Sequence, residues 1–226
     1  MIVALFDCDG TLFSALFGRG LMKYTNSKGR KGLVRLYYAS LLIPFFLKKL
    51  GLISEETFSR RIIANLAMFI KGWNDEESKA AFDWVVNEYL LSTQRDEVVS
   101  RLRSHQAKGH EIVLVSAQYL PSLEILGKYF NADAIIGTEV EKTENRYSGR
   151  ITPPVIVGQY KNLRVRELFS SQNQEIDWEA SFAYADSITD LELFDLVGNP
   201  VAVFPDLKLN EIAQANNWEI IGTPTK

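Results

Sequence analysis

Short apolar runs recur along the chain, and the segments between them mostly carry helical periodicity. Ile2 to Phe6, Glu111 to Val115, Ala134 to Gly137, Ser181 to Ala185 and Pro200 to Phe204 have the length and apolar content of buried strands. Strands that alternate with helical segments predict an α/β fold built on a parallel sheet. More than a hundred residues separate the first two strands, far beyond what one crossover helix needs. That excess predicts an inserted helical domain over residues 14–93, on a core formed by residues 1–13 and 94–226. Helices are expected within the insert at Leu33 to Leu50, Glu55 to Ile70 and Asp75 to Leu91. Ser54 and Asn74 stand before acidic first turns as N-terminal signals, and Gly51 and Gly72 as stops. Beyond the insert, Arg95 to Lys108 reads as a helix ended by Gly109. Thr138 to Thr152 reads as a hairpin around Glu144-Asn145, and Lys161 to Phe169 as a further helix.

Composition narrows the class. A chain of 226 residues that is 46% hydrophobic can bury a real core, which excludes a disordered chain. The single cysteine, Cys8, excludes an internal disulfide, and the N-terminus lacks the basic region and small-residue cleavage site of a secretory signal, so a cytoplasmic setting is expected. Flanking acids disfavour a Cys8 thiolate, which makes the residue structural. The net charge of −3 hides an asymmetry: Ser14 to Ile53 holds eight basic residues and no acid, so the remainder carries −11. Such a field attracts anions. The same stretch contains Leu33 to Leu47, apolar around the whole helix, interrupted by Pro44, and too short to span a bilayer convincingly. Its basic residues alternate with aliphatics and not with a stacking platform, which argues against a nucleic-acid partner.

The candidate chemistry lies where strands end. Asp7-Cys8-Asp9-Gly10-Thr11 follows the first strand, so two carboxylates leave it together, with Gly10 allowing a tight exit turn. Like charges this close need a cation or a shared proton. The second strand leads into Ser116-Ala117-Gln118, a hydroxyl and free backbone amides at the edge where open α/β sheets bind ligands. The fourth leads into Asp186-Ser187-Ile188-Thr189-Asp190, two more carboxylates of the hard oxygen type that suits Mg²⁺. Lys161 sits at a helix start, where the macrodipole disfavours a cation. Taken singly, each has an ordinary reading: a turn serine, helix-capping aspartates, a solvated lysine.

In this order the pieces resemble the haloacid dehalogenase-like superfamily: Asp-x-Asp-Gly-Thr after a strand, a serine after the next, a lysine, then Asp-Ser-x-x-Asp. The helical insert directly after Asp-Gly-Thr, Leu114-Val115-Ser116-Ala117, the hairpin Glu141 to Arg150, and Tyr184-Ala185-Asp186-Ser187 are similar to its phosphoserine-phosphatase-like branch. The resemblance implies a Rossmann-like parallel core with an all-helical cap, and a Mg²⁺-dependent phosphomonoester phosphatase. Asp7 would be the nucleophile of an aspartyl-phosphate mechanism and Asp9 the acid and base. The metal would be held by Asp7, the Asp9 carbonyl and Asp186, with Asp190 supporting that shell or orienting Lys161. Ser116, the amide of Ala117 and Lys161 would bind the phosphoryl oxygens.

Three positions depart from that branch. Ala185 replaces a usual glycine, and Leu16 and Phe17 stand at the entry of the insert, where phosphoserine phosphatases place an acid for the substrate amine. The expected substrate is therefore a small or amphiphilic phosphorylated alcohol other than phosphoserine, up to a lysolipid phosphomonoester. Peripheral membrane contact through the insert is open, although packing of the apolar helix within the insert or a dimer interface is the commoner outcome. Monomer and homodimer both fit. A phosphate-binding or signalling protein using the same acidic pocket without turnover is the rival class. A receiver domain is half this length and lacks such an insert, and a dehalogenase has no need of Asp9 or a metal shell. His105 and His110 read as parts of a surface turn without chemistry.

Overall fold

The computed structural model describes residues 1–171 and 174–225. Its strands are β1 (Val3–Phe6), β2 (Glu111–Tyr119), β3 (Ala134–Thr143), β4 (Arg146–Thr152), β5 (Phe182–Ala185), β6 (Asn199–Val203) and β7 (Glu219–Ile221). They form one sheet in the order β4-β3-β2-β1-β5-β6-β7, parallel throughout except for the β3–β4 hairpin. Phe6 lies in register with Leu114 on one side and with Tyr184 on the other, so β1, β2 and β5 run abreast towards the same edge. Strand alternation divides the core. Ala4, Phe6, Ile112 and Leu114 face one layer, while Val3, Leu5, Val113 and Val115 face the other.

Around the sheet lie α5 (Asp96–Ala107), α6 (Leu120–Phe130), α7 (Gln159–Ser171), α8 (Leu191–Phe194) and α9 (Leu207–Ala215); the insert carries α1 (Phe17–Ser27), α2 (Lys31–Lys49), α3 (Glu55–Leu66) and α4 (Asp75–Trp84). Helix starts follow the local chemistry. Ser54 accepts from the Thr57 N–H, and Asn74 and Glu77 close a capping box at α4. A 3₁₀ turn over Ala67–Ile70 follows α3, and a π turn over Val85–Leu90 extends α4. The chain enters and leaves the insert side by side, with the Ser14 N–H donating to Thr93 O at 2.9 Å. Apolar packing is continuous across that point: Phe69 and Phe82 of the insert share one cluster with Phe6, Leu102 and Leu126.

Several expectations need correction. α1 was not expected: Gly18 and Gly20 lower its helix propensity, yet Gly20 is where α1 meets Tyr89 and Val85, too closely for a side chain. β2 runs on through Ser116 to Tyr119, with a register shift against β3 between Val115 and Tyr119, so Ser116 belongs to the strand and not to a loop after it. β7 was also unexpected; three residues at a sheet edge carry no periodicity to read. His105 is buried, not in a surface turn: one ring nitrogen meets the Tyr184 hydroxyl at 2.9 Å and the other meets His110 at 2.8 Å. Finally, α2 buries only Tyr37, Leu41 and Pro44, and leaves much of its apolar surface in solvent. Among the described residues, no helix is long and apolar enough to cross a membrane.

Candidate active site

The edge where β1, β2 and β5 end gathers the acidic residues. Asp7 follows β1 directly, its N–H donating to Tyr184 O at 2.9 Å, and it is buried. Asp186 follows β5, and Asp190 lies in the short turn before α8. Carboxylate oxygens of Asp7, Asp186 and Asp190 all come within 4.8 Å of one another. Lys161, the third residue of α7, projects into this cluster and pairs with Asp7 Oδ1 at 2.6 Å and Asp190 Oδ1 at 2.5 Å. Only 3% of Lys161 is exposed, so its ammonium is a built-in charge and not a solvated surface group. Burial opposes that charge, but Asp190 and Asp7 outweigh it and hold the lysine above its ordinary value.

One ammonium does not balance three carboxylates. Burial, reinforced by Asp7 and Asp190, pushes Asp186 well above the usual carboxylate range. Asp190 is pushed up to about 6 by burial, against the pull of Lys161. Clustered oxygen donors, buried on Asp7 and Asp190 and half-buried on Asp186, with uncompensated negative charge have the chemistry of a Mg²⁺ site, which needs few carboxylates and keeps room for water and substrate oxygens. The residues present fit that ion.

Asp9 stands apart from the trio. Both of its carboxylate oxygens accept from the Phe17 N–H at 3.0 Å, and Oδ1 also accepts from Gln118 Nε2 at 2.6 Å. Its side chain therefore joins β1 to the first residue of α1 and to β2. Burial raises its carboxyl to about 7; the Phe17 bond opposes the rise, and the Asp7 charge adds to it. A carboxyl poised there can give or take a proton near neutrality. Gly10 takes φ +83°, and a side chain on it would sit 2.0 Å from Asp186 Oδ2. The glycine lets the β1 exit approach the acidic cluster.

Ser116 is 1% exposed, and its Oγ accepts from the Gln118 N–H at 3.3 Å. The Ala117 carbonyl accepts from Thr138 Oγ1 at 2.9 Å, which fixes the peptide next to the site. Cys8 is fully buried, and burial raises its thiol well above the ordinary value, with Asp7 and Asp9 adding to the rise; it stays protonated. Four further residues serve this region without having been assigned a place from sequence. Thr11 Oγ1 donates to Asp186 Oδ1 at 3.3 Å, Gln118 holds Asp9, Arg95 Nε donates to Gly10 O at 3.1 Å, and the Asp206 N–H donates to Asp186 O at 2.8 Å. Gln118 stands in the sequence just after the second apolar run, with nothing there to mark Asp9 as its partner; Arg95 and Asp206 had no signal, because their contacts join distant segments.

The chain is similar to known proteins. A model of the haloacid dehalogenase-like hydrolases matches residues 4–195. A phosphoserine phosphatase of Mycobacterium tuberculosis is 26% identical over 227 residues, covering 96% of this chain and 69% of that protein. A histidinol-phosphatase of Neisseria meningitidis serogroup C is 25% identical over 223 residues, covering 97% of each. Among solved structures, a Bordetella pertussis Tohama I protein superposes with a TM-score of 0.81 at 24% identity, covering 97% of both chains. A substrate-bound phosphoserine phosphatase superposes with a TM-score of 0.67 at 14% identity, covering 97% of this chain and 92% of that one. At these identities the two structures establish a shared fold.

Proposed function

Because the chain belongs to the haloacid dehalogenase-like hydrolases, a membership that carries phosphatase chemistry through its named relatives, we propose that it is a Mg²⁺-dependent phosphomonoester phosphatase working through an aspartyl-phosphate on Asp7. The observation that carries this reading is the meeting of Asp7, Asp186, Asp190 and Lys161 beside a separately held Asp9 whose carboxyl lies near neutrality.

In the first step an Asp7 carboxylate oxygen attacks phosphorus and the bond from phosphorus to the alcohol oxygen breaks. Its electron pair stays on the leaving oxygen, which takes the proton of Asp9. In the second step Asp9, now a carboxylate, removes a proton from water. The water oxygen attacks phosphorus, the bond to Asp7 breaks, and phosphate and the free aspartate are restored. The Phe17 and Gln118 N–H groups hold the Asp9 carboxyl for both transfers. Lys161, Ser116 Oγ and the Ala117 N–H bind the phosphoryl oxygens that gain charge in each transition state. Asp7, the Asp9 carbonyl and Asp186 would hold Mg²⁺, with Asp190 supporting that shell, and the bound ion supplies positive charge between nucleophile and phosphate.

The substrate read from this site is a small or amphiphilic phosphorylated alcohol, and phosphoserine is disfavoured. The first turn of α1 holds no acid to receive an ammonium. Phe17 stands there instead, buried against Phe82 and edge-on to Tyr119 at 5.4 Å between ring centroids. The test is phosphate release by wild type and Asp7→Asn, with and without EDTA, on phosphoserine, histidinol phosphate, glycerol phosphate and lysophosphatidate. The expected outcome is Mg²⁺-dependent release, abolished by Asp7→Asn, with phosphoserine turned over least. Binding of phosphate without release from any of the four would favour a phosphate-binding protein and defeat the proposal.

A further inference from the structure

The outer side of α2 is apolar where a surface helix is ordinarily polar. Tyr37, Leu41 and Pro44, at helical spacing, face the rest of the insert. The remaining surface of the helix and the turn after it carry Leu42, Ile43, Phe45, Phe46, Leu50 and Leu52, exposed by between 49% and 72%. Single exposed hydrophobics are ordinary, but this many along one element form a patch, and contiguous apolar patches mark interaction surfaces. At 19 residues the helix is about 28 Å long.

Charge selects the occupant. Lys31, Arg35 and Lys49 are exposed and have no carboxylate within ion-pair distance among the described residues, while Lys48 pairs with Glu55. A second copy docked on α2 about a two-fold axis would set these cations against themselves, and Ser14 to Ile53 offers no acid in exchange. A surface both apolar beneath and anionic at its boundary satisfies both features. We propose that α2 and the following turn dock the insert on an anionic lipid bilayer, with the aromatic and aliphatic side chains entering the interface and Lys31, Arg35 and Lys49 meeting lipid phosphates. The helix lies along the surface and does not cross it. This inference rests on α2 alone and is independent of the chemistry assigned to the acidic site.

The experiment is flotation of the full chain with vesicles of pure phosphatidylcholine or of an equal mixture with phosphatidylglycerol, at low and high salt. Wild type is compared with Ile43→Asp/Phe46→Asp and with Lys31→Glu/Arg35→Glu. Circular dichroism and thermal unfolding serve as checks that the variants fold. The proposal expects binding to the mixed vesicles, weakened about tenfold or more by either double substitution and by salt, with little binding to the neutral vesicles. Failure of wild type to float with anionic vesicles overturns it. So does flotation that the folded variants retain, or sedimentation showing that wild type hides α2 in a dimer which Ile43→Asp/Phe46→Asp dissociates.

Discussion

At the residue scale the site is a set of charges held closer than they would choose. Asp186, half-buried beside the like charges of Asp7 and Asp190, is pushed above the usual carboxylate range, opposed by Lys161 and by the bond from Thr11. Replacing it with Asn removes a repulsive carboxylate and, on the proposed function, an ion ligand together. Asp186→Asn is therefore expected to unfold no lower than wild type without metal, and to lack the rise in melting temperature that Mg²⁺ is expected to give wild type, about 2–4 °C per kcal/mol of binding for a chain of this size. Thermal unfolding of both proteins with EDTA and with excess Mg²⁺ checks it. Gly10 makes the complementary case. A methyl group there would strike Asp186 Oδ2 at 2.0 Å from a backbone conformation that side chains avoid. Gly10→Ala should cost about 1–3 kcal/mol of stability by denaturant unfolding and most of the turnover. The residues of the acidic cluster were legible from the sequence because each follows a strand, and strand ends are local features. Gln118 and Thr11 stood inside the same motifs, but their partners depend on the register between β1, β2 and β5, which no single segment carries.

At the element scale, what the sequence showed and what it hid separate by range. The strands of the parallel sheet and the caps of α3 and α4 rest on contacts a few residues apart, and they are legible. α1 is held in place by packing of Gly20 against the turn over Val85–Leu90, a contact about 65 residues away that local propensity cannot report. The apolar stretch of α2 reads equally well as core or as interface, because hydrophobicity all round gives no facing direction. α5 supplies a pH-dependent contact of the same hidden kind. His105 lies between Tyr184, whose hydroxyl is pushed up to about 12 by burial and stays protonated, and His110. Burial, with help from the neighbouring cations, lowers His105 from 6.5 to about 4. Between those values the unfolded chain binds the proton more readily than the folded one. Stability is full above about pH 6.5 and falls as the pH drops towards 4, by up to about 3 kcal/mol. His110, also lowered by burial, adds to the fall in the same direction. Urea unfolding at pH 7 and pH 5 should show this slope in wild type and a shallower one in His105→Gln, which keeps a partner for Tyr184.

At the scale of the whole molecule, one sheet edge and one helical insert divide the work. The sheet brings Asp7, Ser116 and Asp186 abreast because β1, β2 and β5 are neighbours in register. The insert reaches back over that edge: the Tyr119 hydroxyl donates to Ile63 O at 2.7 Å, and the Arg60 guanidinium lies 4.7 Å from the Tyr160 ring centroid, next to Lys161. The β3–β4 hairpin holds the far side, where the Gly72 N–H donates to Tyr147 O and Lys142 pairs with Asp75. On the proposed function, the phosphate half of the substrate meets the core and the alcohol half the insert. The central claim is that the phosphoryl group passes through Asp7, and its most direct test is to quench the enzyme in acid during turnover and map phosphorylated peptides by mass spectrometry. The account predicts a phosphoryl group on Asp7 that hydroxylamine removes and that Asp7→Asn lacks. Full turnover with Asp7 unmodified at every quench time, or undiminished turnover by Asp7→Asn, would contradict it.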